Sequence, residues 1–260
     1  METQADKRRQ AILDELAQQQ AVRVTELSLT FGVSEVSVRR DLSYLEREGL
    51  LRRIHGGAVP ASHARPPVVQ SRAATSAHAA EKASIGRAAA ELVRPGERLL
   101  LDSGTTVLEV ARHLPPDLRE SGNLTVITGS LPIVRELGPC KGIHLILLGG
   151  VYLPQYEVVV GPQTVAQLKE LHADRLFLGA DGLTFARGVT TANVLEAEVD
   201  GAAIAAASQV IVVADSSKIG LIGLTPIMPL KDVKKLITDA GAPPEFVHDL
   251  RKQGADVILV

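Results

Sequence analysis

The sequence predicts an α/β chain in two parts: a small N-terminal domain of short helices, and a larger domain in which helices alternate with the strands of a mostly parallel sheet. Three observations carry this. The chain has 260 residues, 45% of them hydrophobic, with aromatics at 3% and no Trp, so its core is built from Ala, Val, Leu and Ile. The stretch VPASHARPPVVQSRAATSAHAAEK is rich in Ala, Pro and Ser and lacks strong hydrophobic periodicity, which is linker composition. Beyond it, apolar runs ending in Asp, Thr or Gly alternate with helical patterns. The predicted organisation is therefore a domain at 1–60, a linker at 61–78 and a domain at 79–260.

Composition also limits the function. A single cysteine, Cys140, excludes an intramolecular disulfide and argues against a cysteine-based metal site, and neither a metal nor another cofactor is expected. No apolar run reaches the ~20 residues of a membrane span. METQADKRRQ is charged and no signal-peptide core follows it, so a soluble, cytoplasmic protein is expected. The net charge of −2 gives no bulk reason for a nucleic-acid partner, so any such case rests on where the charges sit.

In the N-terminal part, DKRRQAILDELAQQ places Ile12, Leu13 and Leu16 on one face of a helix. Thr25 is read as the N-cap of a short helix containing Leu27 and Leu29, and Phe31-Gly32 ends it. Val33 is expected to pack inward, and Ser34 to cap a second helix, in which Val38, Leu42 and Leu45 form a buried stripe. Ser37, Arg39 and Arg40 then face away from that stripe. Two helices joined by a Gly-containing turn make a helix-turn-helix, whose second helix enters the DNA major groove. LLRRIHGGAVP adds β-type residues, basic side chains and a Gly-Gly turn, which suits a wing. Through residue 60 there are nine Lys/Arg and nine Asp/Glu, so the sum does not favour DNA. The distribution does: Lys7, Arg8 and Arg9, then Arg39 and Arg40, then Arg52 and Arg53 place cations in three regions that can contact phosphates around a groove. The alternative is a solvated charged face. The residues assigned to DNA contact are Thr25, Ser34, Ser37, Arg39, Arg40, Arg52, Arg53 and His55.

In the larger part, EKASIGRAAAELV reads as a helix stopped at Pro95-Gly96, ERLLLD as a buried strand and TTVLEVARHL as the next helix. NLTVIT, HLILLGG, DRLFLGAD, SQVIVVAD, KKLITD and ADVILV are further strands, and EAEVDGAAIAAAS is a helix. In LLLDSGTTVLEV a strand ends at Asp102 and a helix follows, so backbone N–H groups with the hydroxyls of Ser103, Thr105 and Thr106 can cradle an anion, Gly104 letting the backbone approach it. The alternative is a tight βα connection with helix-capping threonines and no ligand. Open α/β sheets bind ligands at the carboxyl ends of their strands. The effector set therefore extends to Thr128, Gly149, Gly150, Asp181, Gly182 and Lys218. Lys218 is read as a cation facing an anion, or else as a surface lysine. Asp102 and Asp181 are read as acceptors for sugar hydroxyls, or else as caps.

VSEVSVRRDLSYLEREGLLRRIHGGA resembles the signature of the DeoR family of sugar-metabolism repressors, with Ser37 where the family usually has Thr. DSGTT, LLGG, FLGADG and ADSSK, in that order, resemble the effector domain of the same family, which is similar to the sugar-isomerase type of Rossmann-like fold. The resemblance implies a winged helix-turn-helix followed by a Rossmann-like sensor domain. It also implies DNA as partner, and a phosphorylated sugar or related metabolite as inducer, held by DSGTT and Lys218. The family commonly has Asn at the place of Gly129, and often Arg where Leu153 stands. A homo-oligomer, dimer or tetramer, is expected because one helix contacts too little DNA for specific repression. The competing reading is a sugar-phosphate isomerase or deaminase with an accessory DNA-binding module, using Glu196, Glu198 or His172. A lone Glu at a helix start is more often a dipole-favoured cap, and no catalytic triad or metal spacing stands out, so the chain is read as no enzyme.

Overall fold

In a computed structural model of the chain, the described residues are 4–19, 22–47, 50–54, 57–60, 78–120 and 123–260. They fall into two compact units, 4–60 and 78–260. His55 and residues 61–77 of the predicted linker lie outside the described residues.

The first unit consists of α1 (Gln4–Gln19), β1 (Val22–Arg23), α2 (Val24–Phe31), α3 (Glu35–Arg47), β2 (Leu51–Ile54) and β3 (Gly57–Pro60). Its core gathers Ile12 and Leu16 from α1, Leu27 from α2, and Val38, Leu42 and Leu45 from α3. Leu29 is 85% exposed, being on the opposite face of α2 from Leu27. Thr25 is not the N-cap. Val24 is buried beside Leu27, and the chain enters the helix one residue earlier to place both inside, leaving Thr25 exposed in the first turn. The far end of α2 does close on glycine. Gly32 takes φ +61, its N–H donates to the Leu29 carbonyl, and the Val33 N–H donates to the Ser28 carbonyl, which satisfies two terminal carbonyls. Ser34 then caps α3, its Oγ accepting from the Ser37 N–H at 3.3 Å.

β3 is the middle strand of an antiparallel sheet in the order β1-β3-β2. Val22 lies opposite Ala58, and Arg52 and Arg53 lie opposite Val59 and Ala58.

The second unit contains α4 (Ala79–Ala90), β4 (Arg98–Leu101), α5 (Thr105–Arg112), α6 (Pro116–Glu120), β5 (Leu124–Thr128), α7 (Leu131–Leu137), β6 (Ile143–Leu147), β7 (Val151–Leu153), β8 (Val158–Val160) and α8 (Pro162–Lys169). It continues through β9 (Ala173–Leu178), β10 (Gly182–Thr184), β11 (Gly188–Thr191), α9 (Val194–Ala206), β12 (Ala207–Val213), β13 (Thr225–Met228), β14 (Lys235–Thr238), α10 (Pro244–Lys252) and β15 (Asp256–Leu259). The seven runs predicted as strands form one parallel sheet, ordered β15-β14-β12-β9-β4-β5-β6.

Alternation along the strands divides the core. Leu99, Leu101, Phe177, Ile211, Val213 and Ile237 face the layer of α4, α5 and α7. Leu100, Leu176, Leu178, Val212 and Leu236 face that of α8, α9 and α10. Both faces being covered, the strands read as continuous apolar runs. From β4 the chain runs outward through β5 and β6, and β9 then returns to the other side of β4. The strand order therefore reverses between β4 and β9.

Candidate functional site

At that reversal the loops after β4 and β9 diverge and leave a cavity of about 90 Å³, the place where open sheets of this kind receive ligands. Its lining includes Asp102 to Thr106 from the end of β4, Gly179 to Asp181 from the end of β9, and Lys218 from the turn after β12. Seven of the eleven predicted effector residues therefore come together: Asp102, Ser103, Gly104, Thr105, Thr106, Asp181 and Lys218. Gly104 takes φ +96, a conformation that favours glycine, and no side chain caps α5. The N–H groups of that helix's first turn thus have no partner within the helix, and the positive end of its dipole faces the cavity.

The other four are placed elsewhere. Thr128 is fully buried, its Oγ1 accepting from the Ser130 N–H. The Gly149 carbonyl accepts from Thr164 and Gln167, and a Cβ on Gly150 would lie 2.3 Å from the Thr164 Oγ1. These three residues serve the packing at the β5 and β6 ends, away from the reversal. Gly182 begins β10, where a Cβ would meet the Leu221 carbonyl oxygen at 2.2 Å. Gly129 and Leu153 do not line the cavity either. A Cβ at 129 would lie 2.8 Å from the Val159 carbonyl oxygen, so the close approach of β8 fills the space an Asn would need.

Sequence reasoning missed Lys82, Tyr156 and Asp200, and read Glu196 as a cap. Asn193 is the cap of α9, its Oδ1 accepting from the Leu195 N–H. Glu196 and Asp200, one helical turn apart, project from α9 into the cavity wall instead. Only the i, i+4 spacing of two of the three acids on this Ala-rich helix could have flagged them. Glu198 and His172 do not line the cavity, and the His172 ring lies 3.0 Å from the Ser208 Oγ.

The cavity is electrostatically divided. Asp102 accepts from the Gly179 N–H at 3.0 Å and shares a hydrogen bond with Asp200. Asp181 accepts from the Ala192 N–H, and the Thr191 hydroxyl lies 3.3 Å from both Asp181 and Glu196. Burial, then the charges of Asp102 and Asp181, raises Glu196 to about 8. Burial, then Asp102 and Glu196, raises Asp200 well above the usual carboxylate range. Burial raises Asp102 to about 6 against the pull of the Ser103 and Gly179 N–H groups. Burial and mutual crowding thus favour the neutral forms of Glu196 and Asp200, which repel an anion less than two carboxylates would. Lys82 and Lys218 line the same cavity. Gly104, Thr105 and Tyr156 are shared with a second hollow of about 530 Å³, giving a larger ligand room to extend. Among the described residues no group of His, Cys, Asp or Glu is arranged to hold a metal ion.

On the first unit, Ser34, Arg39 and Arg40 are exposed along the start of α3 and Ser37 is half-buried. Arg39 pairs with Glu35 at 2.7 Å, whereas Arg40 makes no ion pair among the described residues. Arg8 and Arg9 lie within α1. Both bind the buried Asp41, at 2.6 and 3.0 Å, so they clamp α1 to α3. No helix of the described residues is long and apolar enough to cross a membrane.

Comparisons agree with this division. Residues 8–64 match the DeoR-like helix-turn-helix domain, and residues 77–240 the DeoR C terminal sensor domain. The chain is 37% identical to a protein of Escherichia coli O157:H7 named for transcriptional repression of the aga operon, over 99% of this chain and 95% of that one. It is 35% identical to the transcriptional repressor AccR of Agrobacterium fabrum (strain C58), over 90% and 89% of the two chains. It is 32% identical to the transcriptional repressor GlcR of Bacillus subtilis (strain 168), over 98% and 96%. Among solved structures, ribose 5-phosphate isomerase A from Methanocaldococcus jannaschii overlaps 55% of each chain, at 19% identity and a TM-score of 0.41.

Proposed function

The chain belongs to the DeoR family and is a DNA-binding transcriptional regulator rather than an enzyme, and we propose that it represses carbohydrate-metabolism genes and leaves its operator when a phosphorylated sugar binds the β4–β9 cavity. The divided cavity carries this reading. The uncapped start of α5, with Lys82 and Lys218, suits a phosphate. The carboxyl groups opposite suit the hydroxyls of a sugar. The similarity to relatives named as repressors supports the same role.

In this reading residues 1–60 are the DNA-binding domain, 61–78 a linker and 79–260 the sensor. Ser34, Ser37, Arg39 and Arg40 approach the bases from the start of α3. Thr25, Arg52, Arg53 and His55 contact the backbone, fixing the register in which α3 reads the groove. A homo-oligomer sets several copies of α3 on repeated half-sites, and the ligand favours an arrangement that no longer fits their spacing. A tenfold change in operator occupancy needs a difference of about 1.4 kcal/mol between the two states, within reach of one set of phosphate contacts.

The test is operator binding by the full chain across a panel of sugars and their phosphates. A phosphorylated sugar should weaken operator binding about tenfold or more while its unphosphorylated counterpart does not, and Lys218→Ala should abolish the response. Equal responses to both forms, or full induction of Lys218→Ala, would sink the reading.

A further inference from the structure

α4 is the element into which the segment joining the two units runs, and one turn into it Lys82 reaches the cavity. The Lys82 backbone N–H donates to the His78 carbonyl, which anchors the start of the helix. Its side chain is 7% exposed, with Nζ 3.4 Å from Oδ2 of Asp215, itself 1% exposed. That oxygen accepts no hydrogen bond among the described residues, so the pair is held by charge at a distance longer than a good charge-assisted bond. The other oxygen of Asp215 is engaged elsewhere. Its Oδ1 accepts from the Ser217 N–H at 3.2 Å and caps the turn that carries Lys218. One buried carboxylate thus pairs with Lys82 and caps the turn that carries Lys218.

α4 also packs against α5, the helix that follows the anion-binding loop. At Gly86 a Cβ would lie 2.5 Å from the backbone carbonyl carbon of Glu109, so α4 and α5 cross almost backbone to backbone. α5 begins at Thr105, on the cavity. A change at the loop therefore cannot leave α4 undisturbed, because there is no compressible layer between the helices.

We propose that Lys82 is the residue through which the cavity acts on α4: an anionic effector competes with Asp215 for its ammonium group, and the resulting shift of α4 is coupled to operator release. This rests on the reading of the cavity as the site of an anionic effector. The competition favours the ligand, because a phosphate oxygen can approach the ammonium at full hydrogen-bond distance where Asp215 does not. The two positions of Lys82, on Asp215 and on the ligand, supply the pair of states that a switch requires.

The experiment uses the full chain, with inorganic phosphate and ribose 5-phosphate as probes. Probe affinity is measured by calorimetry, and operator affinity with and without saturating probe. The variants are Lys82→Met, Lys82→Arg and the double variant Lys82→Met/Asp215→Asn, which removes both halves of the buried pair so that neither charge is left alone. Lys82→Met and the double variant should bind the probes about tenfold or more weakly. At saturating probe both should hold the operator as tightly as without it, while Lys82→Arg recovers part of the affinity and of the release. Unchanged probe affinity in the double variant overturns the proposal. So does normal release from the operator at saturating probe, which would make Lys82 a ligand contact that transmits nothing. A wild-type chain that binds neither probe overturns the anionic-effector reading itself.

Discussion

Replacing Glu196 by Gln tests the electrostatics of the cavity without a ligand. Glu196 is 9% exposed, and its carboxyl is raised from 4.5 to about 8, first by burial and then by the charges of Asp102 and Asp181. On unfolding it meets water and ionises at its ordinary value. Between about pH 4.5 and 8 unfolding therefore releases a proton, and rising pH favours the unfolded chain. At pH 7 the gap of 2.5 units from the ordinary value, at roughly 1.4 kcal/mol per unit, makes this one group destabilising by about 3 kcal/mol. Gln is nearly isosteric, stays neutral and keeps an oxygen for the Thr191 hydroxyl. Glu196→Gln should therefore be more stable by about 3 kcal/mol at pH 7, by about 5 kcal/mol above pH 8, and indistinguishable from wild type below about pH 4.5. Urea unfolding of both chains, followed by far-UV circular dichroism across this range, measures the difference. Two parallel pH curves, or a variant less stable at pH 7, would refute the assignment of a buried, protonated carboxyl.

Arg40→Ala should weaken operator binding about tenfold and lower the slope of log affinity against log salt by about one, as loss of a phosphate or base contact does. An unchanged affinity across salt concentrations would remove α3 from the groove. Asp41→Asn gives Arg8 and Arg9 a neutral partner in place of a buried carboxylate and should destabilise the first unit by about 2 kcal/mol, read from the midpoint of its thermal transition. Gly86→Val drives a branched side chain into the backbone of Glu109 and should destabilise the second unit by about 1–3 kcal/mol in a denaturant titration. Wild-type stability there would mean that the two helices separate freely.

The parallel sheet was legible because its inner strands end in apolar runs buried on both faces, and such runs stand out from the amphipathic helices between them. The DSGTT loop was legible for a related reason, since polar residues directly after a buried strand need a backbone or a ligand to bind. What stayed hidden depends on strand order. Thr128 and Gly149 put a polar and a small residue at strand ends just as Asp102 and Gly179 do, yet only the latter pair borders the reversal between β4 and β9. Local sequence carries no record of which side of β4 the ninth strand joins. Lys82 was invisible for a simpler reason: on an Ala-rich helix a lone lysine reads as solvated surface, and only tertiary packing turns it inward. Arg8 and Arg9 show the converse, cations that charge placement offered to DNA and that the fold commits to Asp41.

The strand order β1-β3-β2 has a kinetic consequence. The middle strand of the wing is the last to be synthesised, and it pairs on one side with Val22 and Arg23, which precede the helix-turn-helix. The sheet therefore encloses both helices in a loop that closes only when Gly57 and Ala58 arrive. Until then β1 and β2 have no partner strand, and a nascent chain emerging from the ribosome cannot assemble the wing around α2 and α3. The domain should fold in one late, cooperative step dominated by a non-local contact. A fragment ending before residue 57 should have weak amide protection throughout, α3 included.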